Sequence, residues 1–167
     1  MIEGARFFWL HNTGPIGCLP DSVICYHPKG GNLDRNGCLR PENEVAQEFN
    51  KQLKDSMSQL RTQYPDAAFT YVDLYKAKYA IISGRKQLGF DDPMKLCCGC
   101  HYGYNIDCGK EEVVNGTVYG NPCPNRAKGI SWDGIHYSEA ANLCIAARLF
   151  NGTLSNPPIP LRYACHK

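Results

Sequence analysis

Residues 5–10, Ala-Arg-Phe-Phe-Trp-Leu, form a nearly continuous apolar and aromatic run that ends at the polar turn His11-Asn12-Thr13-Gly14. A short run of this kind, bounded by turn residues, is typical of a strand that is buried on both faces. Such strands occur inside parallel sheets whose faces are covered by helices. The sequence therefore predicts a parallel α/β fold with the strand Ala5–Leu10 in its interior.

The elements predicted downstream agree with this fold. Periodicity predicts a helix from Pro41 to about Arg61, a strand from Phe69 to Val72, a short helix from Leu74 to Ile82, and a last helix from Glu139 to Phe150 with Ser138 as its N-cap. The order strand, helix, strand, helix indicates one parallel layer. The apolar stripe of the first helix is expected to contain Val45, Ala46, Phe49, Leu53, Met57 and Leu60, and that of the last helix Ala141, Cys144, Ile145 and Leu149.

Length, charge and hydropathy exclude several classes of protein. The 167 residues, 43% of them hydrophobic, suit one domain. The net charge is +2, from 18 basic and 16 acidic residues that are scattered along the chain. This distribution argues against a nucleic-acid partner. No apolar run approaches the roughly 20 residues of a transmembrane helix, so no transmembrane segment is expected.

Cysteine content points to an oxidising compartment. Cysteines occupy positions 18, 25, 38, 97, 98, 100, 108, 123, 144 and 165. Their spacing lacks the two CxxC-type half-sites of a structural zinc site, which favours a disulfide framework over zinc. The segment from Gly84 to Ile130 is interpreted as an ordered excursion held by disulfides. Two Asn-Gly-Thr sequons make Asn115 and Asn151 candidate N-glycosylation sites in exposed loops, in keeping with secretion.

The first residues, MIEGARFFWLHNTG, lack the basic start, apolar stretch and cleavage site of a signal peptide. A buried strand so close to residue 1 also needs partner strands for its backbone groups. We therefore expect the true beginning of the polypeptide to lie upstream of Met1.

A candidate acid–base pair lies in Trp132-Asp133-Gly134-Ile135-His136, just before the last helix. This spacing can bring a carboxylate against one ring nitrogen of an imidazole, which fixes the tautomer and leaves the other nitrogen free to accept a proton from a nucleophile. A bare DxxH pattern also arises by chance. In the simpler interpretation, Asp133 caps backbone amides and His136 is a half-exposed surface residue.

Five collinear blocks carry a family resemblance: GARFFWLHNTGPIGCLP, NGCLRPENEVAQEFNKQL, YVDLYKAKYAII, DPMKLCCGC and ISWDGIHYSEAAN. Over nearly its whole length the chain resembles the C-terminal half of the plant GDSL esterase/lipases of the SGNH hydrolase superfamily, especially the early-nodulin-like and fucosidase-named branch. The resemblance implies that residues 1–167 are a single partial domain, the C-terminal part of a flavodoxin-like α/β/α fold whose N-terminal strands are missing. It assigns the catalytic aspartate and histidine to Asp133 and His136.

The resemblance also implies a secreted carboxylic-ester hydrolase, monomeric when complete, that needs no metal or organic cofactor. Its substrates would be acyl esters of lipids, polysaccharides or phenolic compounds.

The nucleophilic serine and oxyanion-hole blocks of the family are not found in this chain. None of the seven serines lies in a GDS or GxSxG motif, and Ser22, in LPDSVI, lacks the glycine and the strand that make the family's turn. His11 and Asn12 end the first strand, where they could border a substrate cleft, although a local cap is favoured for Asn12. Asp73 is expected to start the following helix, and Trp132 to pack behind the catalytic loop.

By family, the protein is an ester hydrolase that works through an acyl-enzyme; as a chain, it is expected to be inactive alone. The favoured account is a fragment of an active secreted hydrolase. A non-catalytic secreted module that binds carbohydrate or lipid is the alternative, and a zinc protein ranks third.

Overall fold

The computed structural model describes residues 4–25, 32–98, 108, 110–119 and 123–165. Single turns of 3₁₀ or π helix cover Ile16–Cys18, Asp21–Cys25 and Leu161–Tyr163. The strands and helices, in chain order, are β1 (Phe7–His11), α1 (Arg40–Gln63), β2 (Ala68–Val72), α2 (Leu74–Ser83), β3 (Glu112–Val114), β4 (Thr117–Tyr119), α3 (Glu139–Phe150) and β5 (Ser155–Asn156). The predicted bounds of the three helices and two strands are confirmed to within about three residues.

The main sheet has the order β1-β2-β5. β1 pairs parallel with β2, from Phe7 opposite Ala68 to His11 opposite Val72. β5 pairs antiparallel with β2 through two residues. The sheet is therefore mixed: β1 and β2 form the predicted parallel pair, and β5 adds a short antiparallel strand.

Helices cover both faces of this sheet, as the predicted α/β/α architecture requires. On one face Phe8 and Leu10 of β1 pack with Phe69, Tyr71 and Met57, the last of these from α1. On the other face a second hydrophobic cluster contains residues of β1, β2, α2 and α3. Its members include Trp9, Val72, Ala77, Ile81, Ala141, Ile145 and Leu149. Alternation of side chains along each strand sends successive residues to opposite helical layers.

The prediction that β1 is buried on both faces is only half correct. Its three inner residues are half-buried, Phe7 is 39% exposed, and the strand lies at the edge of the sheet. Among the described residues β2 alone pairs with it, so only one of its edges is covered. β2, paired on both sides, is the strand whose side chains are buried.

The predicted stripe of α1 is partly wrong. Val45 and Phe49 are 66% and 55% exposed, whereas Asn43 and Asn50 are buried. The buried asparagines bind the backbone of the loop that follows β1, so this face of the helix is selected by hydrogen bonds as well as by apolar contact. The stripe predicted for α3 is confirmed: Ala141, Ile145 and Leu149 are buried and Cys144 packs against the same cluster.

Candidate active site at the entrance of helix α3

Residues Trp132–His136, named here the Asp–His loop, form a closed turn before α3. The Trp132 amide donates to the His136 carbonyl at 2.8 Å, which joins the two ends of the loop. The Gly134 amide donates to the buried Ser131 hydroxyl at 2.9 Å. Gly134 has a φ of +99°, and a Cβ there would lie 3.3 Å from Asp21, so the turn favours glycine.

Asp133 holds both the loop and the imidazole. Its Oδ1 accepts hydrogen bonds from the amides of Ile135 at 2.9 Å and His136 at 2.7 Å. Its Oδ2 lies 2.6 Å from Nδ1 of His136. The spacing-based expectation of a carboxylate–imidazole contact is therefore met. The backbone capping of the simpler interpretation is present as well, on the other carboxylate oxygen.

The electrostatics of the pair keep Asp133 ionised. Burial is the largest single influence and raises its pKa. The hydrogen bonds from the His136 amide and ring and from the Ile135 amide together hold the pKa below its usual value. An ionised carboxylate can only accept, so Nδ1 carries the proton of this contact. In the neutral imidazole Nε2 is then a proton acceptor, and the His136 side chain is 76% exposed.

The cysteine-containing segment supports the loop from behind. The Cys97 amide donates to the Trp132 carbonyl at 3.0 Å, and Leu96 forms a parallel bridge with Ser131. A disulfide joins Cys97 to Cys123, whose amide donates to the Cys97 carbonyl. The position of the loop thus depends on residues about 35 positions earlier in the chain as well as on its own turn.

Helix α3 fixes the other end of the loop. The Ser138 hydroxyl accepts from the Ala141 amide, which confirms the predicted N-cap, and it also donates to the Gly129 carbonyl. The intervening Tyr137 is mostly buried, and burial raises the pKa of its phenol. The Lys78 ammonium lies 4.6 Å from the centre of the Tyr137 ring.

A cleft of about 610 Å³ adjoins the loop at Trp132 and is lined by Arg126, Trp132, Tyr137, Glu139 and Leu143, among others, but by neither Asp133 nor His136. The Arg126 guanidinium lies 5.7 Å from the Trp132 ring centre. Trp132 was expected only to pack behind the loop, but its half-buried side chain also forms a wall of this cleft. An apolar cleft with a few polar groups is the usual form of a small-molecule site.

The seven serine hydroxyls are all engaged by nearby backbone groups. Ser22, the superficial match to the GDS motif, donates to the Ile16 carbonyl at 3.1 Å. The others make bonds of the same kind or, for Ser131, accept from Gly134; they are Ser56, Ser58, Ser83, Ser131, Ser138 and Ser155. Within the described part of the chain, no hydrogen bond links a serine hydroxyl to the His136 ring.

The carboxyl ends of β1 and β2 form a separate polar cluster. Asn12 is buried; its amide nitrogen donates to Tyr71 and Asp73, and its carbonyl oxygen accepts from the Tyr75 amide. The expectation of a local cap at Asn12 is therefore wrong, because its partners lie about 60 residues away and one of them is the N-terminus of α2. Asp73 caps α2 by accepting from the Lys76 amide, as predicted.

His11, the other residue considered at the end of β1, does not contact the Asp–His loop through a hydrogen bond within the described residues. Its Nε2 accepts from the Trp9 indole at 2.8 Å. Burial and the nearby Lys78 ammonium lower its pKa. Lys78 was not singled out from the sequence, since a single lysine within a helix gives no signal that it lies over the Tyr137 ring and near His11.

The two candidate glycosylation sites are exposed. Asn115 and Gly116 form the turn of a hairpin between β3 and β4, with φ values of 50° and 78°. Sequence reasoning overlooked this hairpin, although Asn-Gly between β-branched residues is a strong signal for one. Asn151 follows α3, and its side-chain carbonyl accepts from the amide and the hydroxyl of Thr153.

Cysteine pairing in the described residues favours the disulfide interpretation. Cys18–Cys38, Cys97–Cys123 and Cys98–Cys108 are bonded, whereas Cys144 and Cys165 are free. Cys100, part of the CCGC motif, lies outside the described residues. No described helix combines the length and the apolar character that crossing a membrane demands.

The three-layer fold and the Asp133–His136 contact together define an α/β protein with a carboxylate–imidazole pair at a helix entrance. A protein-family model described as GDSL-like lipase/acylhydrolase matches residues 1–149. GDSL esterase/lipases of Arabidopsis thaliana and Zea mays are each 49% identical, over 99% and 98% of this chain. GDSL esterase/lipase ENOD8 of Medicago truncatula is 41% identical over 98% of it. In each case the match covers 43% of the relative. The chain belongs to the GDSL-like lipase/acylhydrolase family and spans less than half the length of these relatives.

Proposed function

We propose that the complete protein hydrolyses carboxylic esters through a serine acyl-enzyme, with Asp133 and His136 as its acid–base pair. The observation that carries this proposal is the 2.6 Å contact between Asp133 Oδ2 and His136 Nδ1 in a chain of the GDSL-like lipase/acylhydrolase family. The exposed imidazole supports it, because a proton-transfer group must be reachable by substrate.

In the proposed mechanism Nδ1 of His136 keeps its proton throughout, while Nε2 accepts and then releases a second proton. A serine hydroxyl attacks the ester carbonyl while Nε2 of His136 takes its proton, and the resulting imidazolium is stabilised by the Asp133 carboxylate. Collapse of the tetrahedral intermediate breaks the ester C–O bond, and Nε2 returns the proton to the leaving alcohol. Water then attacks the acyl-serine by the same route and releases the acid.

We propose further that the nucleophile is a serine that these 167 residues do not contain. The engagement of all seven serine hydroxyls with backbone groups supports this, as does the absence of a GDS motif. Residues 1–167 alone are then inactive, because the attacking oxygen and the donors for the oxyanion are both lacking.

One experiment separates these two statements. The purified 167-residue chain is compared with a fusion that places the preceding portion of the Zea mays relative in front of it, using a short-chain chromogenic ester. We expect no hydrolysis by the chain alone and turnover by the fusion. Hydrolysis by the chain alone that is lost in His136→Ala would show that a nucleophile lies within it. A folded fusion with no esterase activity would contradict the proposed reaction.

Secretion and N-glycosylation at Asn115 and Asn151 form a second part of the proposal. Three disulfides within the described residues and the exposure of both sequons support it. Expression of the fusion in plant cells behind a signal peptide should give a glycan at both asparagines, which Asn115→Gln and Asn151→Gln would remove one at a time. Peptide mass spectrometry that finds both asparagines unmodified would contradict it.

A further inference from the structure

A groove of about 320 Å³ lies between α1, α2 and the loop around Asp34. It is named here the tyrosine groove, and its lining includes Asp34, Arg40, Glu44, Gln47, Tyr75 and Tyr79. None of the residues that line it also line the cleft beside the Asp–His loop. The tyrosine groove is therefore a second concave surface, which the proposed ester hydrolysis does not use.

Two stacked tyrosine rings line this groove. Tyr75 and Tyr79 lie one helical turn apart on α2, with ring centres 6.0 Å apart and planes within 14° of each other. Both side chains are half-buried. Burial is the largest influence on both phenols and contributes to raising their pKa values, so both retain their protons at neutral pH.

Hydrogen bonds fix the orientation of both rings. The Tyr79 hydroxyl donates to Asp34 Oδ2 at 2.7 Å and accepts from the Asn36 side chain at 3.0 Å. The Tyr75 hydroxyl accepts from the Gln47 side chain at 3.0 Å. Among the residues that the structure describes, nothing accepts the hydrogen of the Tyr75 hydroxyl, so this group can donate to a ligand.

The loop that forms one wall of the groove is also held in place. Asp34 Oδ1 accepts from the amides of Asn36 at 2.8 Å and Cys38 at 3.0 Å. Cys38 is buried and bonded to Cys18. Preorganisation of this kind lowers the entropic cost of binding a ligand.

Hydrogen-bond donors and acceptors line the groove beside the two tyrosine rings. Glu44 and Gln47 are exposed on α1 and offer acceptors. Arg40 uses its Nε on the Leu33 carbonyl, and within the described residues its terminal nitrogens are left to donate. Two carboxylates and one guanidinium line the groove, which disfavours an anionic ligand.

We propose that the tyrosine groove binds a neutral sugar ring. One face of a pyranose carries C–H bonds that pack on an aromatic ring, and its rim carries hydroxyls that both donate and accept. The volume, near the lower end of the range of about 300–1,000 Å³ for ligand sites, suits one or two such rings. The groove would then bind the protein to a carbohydrate, while the Asp–His loop takes part in ester hydrolysis at a separate site.

The test uses nuclear magnetic resonance on the full chain with its disulfides intact, with cellotriose and xylotriose as probes. We expect at least one probe to shift the ring resonances of Tyr75 and Tyr79 and to show saturation transfer. Tyr75→Ala should weaken binding by about tenfold or more, and Tyr75→Phe, which keeps the ring, by only about two- to fivefold. The matched control is Tyr163→Ala, since Tyr163 is a half-exposed tyrosine outside the groove; it should bind as the parent does.

Other results would overturn the proposal. The first is that neither tyrosine resonance shifts with either probe at about 10 mM. The second is that Tyr75→Ala leaves sugar binding unchanged. The third is that choline binds and neither sugar does, which would identify a cation site. His136→Ala should retain sugar binding. Failure of the esterase proposal and failure of this one are therefore separate results.

Discussion

Two loops, the one that follows β1 and the Asp–His loop before α3, are held in different ways. The loop after β1, residues 12–18, is held by side chains far along the chain: Asn50 binds Thr13 across 37 positions and Asn43 binds Gly17 across 26. The internal turn of the Asp–His loop is fixed by its own residues, since Asp133 binds His136 across three, although the Cys97 amide also holds the loop in place through the Trp132 carbonyl. The difference teaches that the carboxylate–imidazole contact proposed for chemistry is encoded locally, while the conformation of the loop after β1 depends on tertiary packing.

The largest expected effect is on catalysis and concerns the locally encoded contact. In the fusion enzyme, His136→Ala should lower kcat by about 10⁶-fold, because it removes the proton carrier. Asp133→Asn should lower kcat by about 10⁴-fold, because it removes the ionised partner that fixes the tautomer of His136. The measurement is steady-state ester hydrolysis, with folding checked by circular dichroism.

Asp55→Asn is the matched control for the aspartate. Asp55 is exposed on α1 and pairs only with Lys51 in the described structure, so its loss should leave kcat within about twofold. A folded Asp133→Asn enzyme with near-normal kcat would remove the catalytic role of the pair and leave only the backbone capping.

The second effect is on stability and concerns the loop after β1. Asn50 donates to the Thr13 carbonyl and accepts from the Thr13 amide, both at 2.9 Å, from a buried position. Asn50→Ala should lower the free energy of unfolding by about 2–3 kcal/mol, because two backbone groups lose their partners and the better helix propensity of alanine offsets only part of the loss.

Chemical denaturation measures this effect, with Gln52→Ala as the control. Gln52 is exposed on the same helix and bonds only to Glu48 and Ser56 in the described structure, so its change should stay within about 0.5 kcal/mol. Equal, small changes in both variants would show that the long-range hydrogen bonds are not what holds this loop.

The same contrast explains what could be predicted from the sequence. The Asp133–His136 contact, the Ser138 cap and the bounds of α3 all depend on residues a few positions apart. Local pattern therefore predicted the cap and the helix, and for the Asp133–His136 contact spacing made it possible while the family resemblance selected it. The buried face of α1 did not follow from apolar periodicity, because it includes Asn43 and Asn50 and leaves Val45 and Phe49 exposed.

The sequence did contain a weak indication that these two asparagines are buried. Asn43 and Asn50 are seven residues apart and so lie on one face of the helix, the face that also carries Ala46 and Met57. Nothing local in the sequence says that their partners are Gly17 and Thr13. The role of Asn12 was missed for the same reason, since Tyr71, Asp73 and Tyr75 come together only in the folded sheet.

The third effect is smaller and concerns the helix that carries the Asp–His loop. Ser138→Ala removes an N-cap and a hydrogen bond to the Gly129 carbonyl, which should cost about 1–2 kcal/mol of unfolding free energy. Ser58→Ala, an exposed serine within α1, should have almost no effect. If the two variants had equal stability, α3 would be held by its apolar face alone.

The smallest effect is electrostatic. It compares a carboxyl that is hydrogen-bonded by a residue close in sequence, Asp133, with one that is hydrogen-bonded by a distant residue, Asp34. Burial raises the pKa of Asp133 and of Asp34, but hydrogen bonds hold both below the usual value: for Asp133 chiefly from His136, three residues away, and for Asp34 first from Tyr79, 45 residues away. We expect both lowered pKa values in a carbon-detected titration of the side-chain carboxyls. His136→Ala should raise the pKa of Asp133 alone, and Tyr79→Phe that of Asp34 alone.

The sign of the linked stability follows from the direction of these shifts. A carboxyl whose pKa is lower in the folded than in the unfolded chain stabilises the fold above its unfolded value, near 3.8. That contribution is lost as the pH falls through the folded pKa. The stability difference between the parent and Tyr79→Phe should therefore be larger at pH 7 than at pH 2. A difference that stays constant with pH would mean that the Tyr79 hydroxyl stabilises the loop without acting through the ionised Asp34.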